Sequence, residues 1–282
     1  MKIIRSINKI QSLARELRQK NNSIGFVPTM GALHAGHLSL IKRAKAENDI
    51  VILSIFVNPA QFGKNEDLSK YPRTFKKDAQ LAREGGADII FAPSAKSVYP
   101  GNYLTFVEVG SLGDGLCGKF RPNHFKGVST VVAKLLNIIS PDALYLGIKD
   151  AQQAVLLKKM VADLNFPVIV RICPTVREKN GLALSSRNIY LNAKKRNEAS
   201  VIYRSLKSAK NLAIKGERNP RRIISFISKS VKSGSKGKLQ YVECVDFKTL
   251  EPLKRIEGNV LLAAAVFFGK TRLIDNIHFK IK

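Results

Sequence analysis

From residue 24 to residue 172 short apolar runs alternate with longer amphipathic ones, and no other feature restricts the fold so closely. IGFVP (24–28), IVILSIFV (50–57), ADIIFAP (87–93), ALYLG (143–147) and PVIVRI (167–172) read as strands. HLSLIKRAKAEN (37–48), TFKKDAQLAREGG (74–86), FKGVSTVVAKLLNIIS (125–140) and AQQAVLLKKMVADLN (151–165) read as helices. Leu38, Ile41 and Ala44 share one face of the first; glycine ends the second, and Pro141 stops the third. Alternation at this pace predicts an α/β, Rossmann-like parallel sheet wrapped by helices. Ligands of such sheets bind beyond the carboxyl ends of the strands, where the strand order switches.

Beyond residue 178 the rhythm changes. Helical stretches at 194–215 and 220–233 precede three strand-like runs, LQYVECVDF (239–247), NVLLAAAVFFG (259–269) and RLIDNIHF (272–279). Helices followed by strands predict a smaller α+β domain. The chain therefore divides into 1–178 and 179–282, with REKNGLALSSRN (177–188) as the joint and KSGSKGK (232–238) as a flexible turn. The N-terminal MKIIRSINKIQSLARELRQK reads as an amphipathic helix and not as a signal peptide. No apolar run reaches the length of about 18 residues that a membrane helix needs, so no membrane association is expected. Cys117, Cys173 and Cys244 are too scattered for a disulfide framework or a zinc knuckle, and a cytoplasmic location follows as the expectation.

A formal charge of +27 raises the question of a nucleic-acid partner. The excess of Lys and Arg runs through both parts of the chain and forms no tail. A non-catalytic RNA binder would set stacking aromatics on a basic face, yet tryptophan is absent and aromatics make up 7%. The reading is a solvated basic surface that collects anionic substrates, with no nucleic acid as partner.

Chemistry concentrates in FVPTMGALHAGHLSL (26–40), where a strand hands over to a helix. A helix N-terminus leaves backbone N–H groups and a positive dipole end that favour phosphate. Gly31, Ala32, Ala35 and Gly36 let an anion approach the backbone, and His34 and His37, at i and i+3, face it as donors. Zinc is the competing reading, but zinc helices pair histidines at i, i+4 beside a glutamate, and none stands here. His278 reads as an ordinary strand histidine, and His124, by a narrower margin, as an ordinary helix-start one. GDGLCG (113–118) matches the dinucleotide pattern, but Pro122 follows where the fingerprint needs a running helix, and NAD binding is rejected.

Three further strand ends or loops carry polar groups. In GIKDAQQAV (147–155), Lys149 offers a point charge to phosphate and Asp150 an acceptor for ribose, with Gln153 one turn on; a plain helix cap and solvent lysine is the alternative. LALSSRN (182–188) adds hydroxyls and Arg187 that can stabilise a leaving diphosphate, or merely forms a hydroxyl-capped turn. SIFVNPAQF (54–62) presents Asn58 and Gln61.

PTMGALHAGH, SIFVNPAQF, YPR, FRPNHFKGVSTVVAKLLN, GIKDAQQ and CPTVREKNGLALSSRN together resemble the signature blocks of the pantothenate synthetases (pantoate–β-alanine ligases), in family order. The first block alone marks the wider nucleotidyltransferase superfamily with its H-x-G-H motif, and another adenylyl or cytidylyl transferase is the alternative. The neutral Gln61 and Gln153 favour a small hydroxy acid over a phosphorylated acceptor. The resemblance implies ATP-dependent condensation of (R)-pantoate with β-alanine through a pantoyl adenylate, for coenzyme A biosynthesis, by a homodimer. It implies that His34, His37, Lys149 and Arg187 are catalytic, His37 as the acid. It implies an ATP site of Pro28, Thr29, Met30, Gly31, Ala32, Leu33, His34, Ala35, Gly36 and His37, with Gly147, Ile148, Lys149 and Asp150. Val176, Leu184, Ser185, Ser186 and Arg187 complete it. Gln61, Gln153 and Asn58 are implied for pantoate and β-alanine. Asp78 is implied near Mg²⁺, although its periodicity equally suits an exposed surface acid. The chain departs from the family in having Leu184 for Met, Asn123 for Gly and Ile148 for Glu. None of the three alters the charged groups.

Overall fold

The run Ile50–Ile55 is β-branched and apolar on both faces, as a strand must be when helices cover both sides of its sheet. A computed structural model describes residues 1–63 and 66–281. It divides into two units: Met1–Gly113 with Arg121–Ile148 and Leu156–Pro174, and Asp114–Phe120 with Lys149–Val155 and Thr175–Lys282.

The first unit holds a parallel six-stranded sheet. Its elements in chain order are β1 (Lys2–Ile4), α1 (Ile7–Gln19), β2 (Ile24–Thr29), α2 (Ala35–Glu47), β3 (Ile50–Ile55), α3 (Phe75–Gly85) and β4 (Ile89–Phe91). The short α4 (Ala95–Val98), α5 (His124–Ile139), β5 (Ala143–Gly147), α6 (Ala151–Asp163) and β6 (Ile169–Cys173) follow, with the start of α6 belonging to the second unit. The strands lie in the order β1-β4-β3-β2-β5-β6, so the direction of winding reverses between β2 and β5. The histidine-bearing turn leaves the end of β2 and the segment Gly147–Ile148 lies at the end of β5, the place where the parallel-sheet rule puts a ligand. α5 is buried nearly all round, as its apolar composition requires.

The second unit contains α7 (Ala193–Ala199), α8 (Val201–Ile214), α9 (Pro220–Gly234) and an antiparallel sheet of β7 (Lys238–Asp246), β8 (Gly258–Phe268) and β9 (Thr271–Ile281). Ile202, Leu206, Ile223 and Ile227 of the helices pack with Val242, Val260, Leu262 and Phe279 of the strands in one core.

Three local readings change. The N-terminal segment is not one helix: Lys2–Ile4 pairs in parallel with Ile89–Phe91, and Ser6 caps a helix that starts only at Ile7. A short run of β-branched residues beside an unfilled sheet edge pairs before it coils. The helix of 194–215 is broken at Ser200, whose hydroxyl donates to the Asn197 carbonyl at 2.6 Å. The supposed turn at 232–238 begins inside α9, which runs to Gly234.

Candidate active site

Between β2 and α2 the chain turns through left-handed backbone at Gly31 (φ 83°) and Ala32 (φ 49°). Glycine enters that region without strain. Gly31 has a second reason to lack a side chain: a Cβ there would meet Asp78 Oδ2 at 3.1 Å and Ile55 Cγ2 at 3.2 Å. Asp78 is buried on the first turn of α3 and anchors the turn. Its Oδ2 accepts the Ala32 N–H at 3.1 Å, its Oδ1 accepts the Leu33 N–H at 2.8 Å, and the Thr74 hydroxyl donates to both oxygens at 3.2 Å. Thr29 Oγ1 accepts the Gly31 N–H at 3.2 Å.

His34 is the N-cap of α2 and His37 lies in its first turn, and the two cap each other's backbone. His34 Nδ1 accepts the Gly36 N–H at 3.1 Å, while His37 Nδ1 accepts the His34 N–H at 3.3 Å. A ring nitrogen that accepts carries no proton, so the proton of each imidazole sits on Nε2. The ring centroids are 4.1 Å apart. The amides of Gly31, Ala32, Leu33, His34 and Gly36 thus have acceptors within the protein. Imidazole N–H donors at the positive end of a helix, and not the bare amides of these residues, are therefore what the turn can offer to an anion.

β3 leads into a 3₁₀ turn, Pro59–Gln61, capped by Asn58. Asn58 Nδ2 donates to Gln61 Oε1 at 2.9 Å and to the Gly127 carbonyl at 3.0 Å; its Oδ1 accepts the Ala60 N–H at 3.2 Å and the Tyr99 hydroxyl at 2.9 Å. Both donors and both acceptor sites of that buried amide are used inside the protein, so Asn58 orients Gln61 and has nothing left for a substrate. Gln61 Nε2 donates to Met30 Sδ at 3.2 Å, which ties the turn to the histidine segment. α5 presses directly on this turn, because a Cβ at Gly127 would lie 2.2 Å from the Ala60 carbonyl oxygen.

Behind Gln61 runs a polar chain. Arg121 Nε and Nη2 donate to Glu66 at 2.6 Å each, Arg121 Nη1 donates to His124 Nε2 at 2.9 Å, and His124 Nδ1 donates to the Gln61 carbonyl at 2.8 Å. A guanidinium only donates, which fixes the His124 proton on Nδ1. Burial works to raise the Glu66 carboxyl, but the hydrogen bonds and charge of Arg121 hold it below the ordinary glutamate value. His124, ambiguous in the sequence, is a support of Gln61.

In the second unit, Lys149 Nζ lies 3.6 Å from Asp150 Oδ1, in the 3₁₀ turn that precedes α6. Gln153 stands half-buried on the first turn of α6. Its neighbour Gln152 is a clamp: Oε1 accepts the Cys117 N–H at 2.9 Å and Nε2 donates to the Gly115 carbonyl at 2.8 Å. GDGLCG is accordingly a turn segment held by Gln152, with Cys117 Sγ 3.2 Å from the Tyr241 hydroxyl, and it leads only into the single 3₁₀ turn Gly118–Phe120, not into an α-helix. Further on, Arg177 and Ala183 bridge in antiparallel register and the Leu184 N–H donates to the Val176 carbonyl at 3.0 Å. Ser185 caps the 3₁₀ turn Ser186–Tyr190 by accepting the Arg187 N–H at 3.3 Å.

The first unit therefore brings together the Pro28–His37 segment, Gln61, Asn58 and Asp78, and it also holds Gly147 and Ile148. The second holds Lys149, Asp150, Gln153, Val176, Leu184, Ser185, Ser186 and Arg187. Asp78 is not an exposed acid, and it does not fit as a magnesium ligand: its oxygens meet two amide hydrogens and a hydroxyl that a cation would have to displace. Sequence reading missed Glu66 and Arg121, and also Asp275 and Asn276 on β9. Asp275 had a signal, because a carboxylate at a core-facing position of RLIDNIHF demands a partner.

The Pantoate-beta-alanine ligase family model matches residues 2–278. The chain is 50% identical over 277 residues to the pantothenate synthetase of Caldicellulosiruptor saccharolyticus, covering 98% of this chain and 99% of that one. It is 50% identical over 276 residues to that of Thermotoga neapolitana, at 98% and 99%. Among solved structures, the pantothenate synthetase of Thermus thermophilus is similar with a TM-score of 0.92 and 39% identity, covering 98% and 99% of the two chains. The pantoate-beta-alanine ligase of Francisella tularensis, complexed with beta-gamma ATP and beta-alanine, is similar with a TM-score of 0.79 and 40% identity, covering 98% and 97%.

Proposed function

Since the chain belongs to the pantoate-beta-alanine ligase family, we propose that His34, His37, Lys149 and Arg187 carry the adenylation of pantoate and that Gln61 and Gln153 hold the acid. The overall reaction is the ATP-dependent condensation of (R)-pantoate with β-alanine to pantothenate, AMP and diphosphate. A carboxylate is a poor electrophile, since its charge repels a nucleophile and it has only oxide to expel. One carboxylate oxygen of pantoate attacks the α-phosphorus of ATP, the bond to the bridging oxygen breaks, and diphosphate leaves. The β-alanine amine then attacks the acyl carbon of the adenylate, loses a proton and expels AMP.

Each group has work in that sequence. His34 and His37 donate from Nε2 to phosphate oxygens, His37 at the step where charge passes to the diphosphate. The Lys149 ammonium and the Arg187 guanidinium stabilise the phosphorus centre and the leaving group. Asp150 accepts from the ribose hydroxyls. Pro28, Thr29, Met30, Gly31, Ala32, Leu33, Ala35, Gly36, Gly147, Ile148, Val176, Leu184, Ser185 and Ser186 line the nucleotide. Asn58 acts through Gln61. Mg²⁺ enters with ATP. A homodimer in the cytoplasm is part of the same proposal. No helix among the described residues is long and apolar enough to cross a membrane.

The observation that carries the reading is the reciprocal capping of His34 and His37, which puts a proton on Nε2 of both rings at one helix N-terminus. AMP release from ATP tests it, with pantoate and β-alanine supplied singly and together. Turnover that needs both supports the proposal, and turnover indifferent to pantoate ends it.

A further inference from the structure

Asp275 and Asn276 are neighbours on β9, both buried, and a strand sends neighbours to opposite faces. Asp275 shares the helix-covered face with Leu273 and Phe279. There it receives Arg177 in a bidentate pair, Nη1 at 2.6 Å and Nη2 at 2.9 Å, while the Arg177 guanidinium stacks over Tyr203 at 3.7 Å. Arg177 Nη1 also donates to the Gly181 carbonyl at 3.2 Å, closing the turn that leads to Leu184 and Ser185. From the other face of the strand, Asn276 Nδ2 donates to the backbone carbonyl of Lys149 at 2.9 Å. Two adjacent residues of one strand thus hold the segment of Lys149 and the segment of Val176–Arg187.

We infer that Asp275 and Asn276 are positioning residues for adenylation, fixing Lys149 and the Val176–Arg187 segment against β9. The inference rests on the roles proposed above for Lys149 and Arg187. A charge at a core-facing strand position is destabilising unless fully paired, and an apolar residue would serve the core as well or better. The pairing contributes instead to where two loops stand. Lys149 sits on the 3₁₀ turn at the N-terminal edge of α6, and the Asn276 amide ties the backbone of that turn to β9. Displacement of a reacting group by about 1 Å lowers a rate on the order of 10²-fold.

A double-mutant cycle on the full-length enzyme tests this, read by pantoate-dependent exchange of diphosphate with ATP and by the thermal midpoint of each variant. Asn276→Ala is expected to lower kcat of exchange roughly 10- to 100-fold. In a Lys149→Ala background the same substitution is expected to change it by less than about 2-fold, because residues that act as a unit are not additive. A purely structural role predicts the same factor in both backgrounds, and that result overturns the inference, as does unchanged exchange in Asn276→Ala. If Asn276→Ala unfolds, Asn276→Thr enters the same cycle, being a good strand former whose hydroxyl falls short of the Lys149 carbonyl. Exchange by the unsubstituted enzyme tests the functional reading; the ratio between backgrounds tests this one.

Discussion

The Asp78 carboxylate accepts the backbone N–H of Leu33 at 2.8 Å, from the first turn of one helix to the turn that carries the paired histidines. With the Ala32 N–H on its other oxygen, this one side chain holds a left-handed stretch of backbone in place. A buried donor left without a partner costs about 1–3 kcal/mol, so Asp78→Ala is expected to lower the unfolding free energy by at least about 2 kcal/mol. Exchange activity should fall with it. A magnesium titration of the residual activity checks the assignment: the half-saturating concentration is expected to stay that of the unsubstituted enzyme, and a large rise would make Asp78 a metal ligand after all.

His34 serves as cap and as proposed donor, and the two roles separate by substitution. Asparagine is a strong N-cap, so His34→Asn should unfold within about 0.5 kcal/mol of the parent in urea. Exchange should nevertheless fall on the order of 10²–10³-fold, the usual effect of removing one donor from a charge-stabilising site. His37→Ala is expected to lose a similar factor.

The Glu66–Arg121–His124 chain behind Gln61 has a pH signature. Glu66 has its folded pKa held below the ordinary 4.5. A lowered acid pKa adds stability that is present above 4.5 and lost as pH falls through the folded value, because the folded state then binds fewer protons than the unfolded one. Urea unfolding across that acid range should show the loss, and Glu66→Gln should flatten it. The same substitution should raise KM for pantoate, since the Gln61 carbonyl loses part of its support.

Gly127 leaves no room for a methyl group. Gly127→Ala forces apart α5 and the Pro59–Gln61 turn, at about 1–3 kcal/mol for overpacking. The predicted kinetic signature is a rise in KM for pantoate greater than that for ATP, measured by exchange with each substrate varied.

Much of this was legible in the residues. Period and β-branching located the central strands, because Ile50–Ile55 and Ala143–Gly147 are apolar on both faces for a reason that acts locally. β1 was not, since Lys2–Ile4 is a strand only because β4 offers it an edge. Within the candidate site, the spacing of His34 and His37 pointed to anion chemistry, but the reciprocal capping depends on backbone geometry that spacing does not encode. Asp78 and Asn58 look like ligands in sequence and are braces in the structure, because their partners, Leu33 and Gly127, lie far off along the chain. Asn276 carries no local signal at all, for its partner is a backbone carbonyl.

In the proposed mechanism pantoate is activated by its own carboxylate oxygen attacking the α-phosphorus. Turnover of pantoate labelled with oxygen-18 in the carboxylate, with mass analysis of the products, tests this most directly. One labelled oxygen is expected in AMP and none in diphosphate. Label in an inorganic phosphate product, with AMP unlabelled, would contradict it.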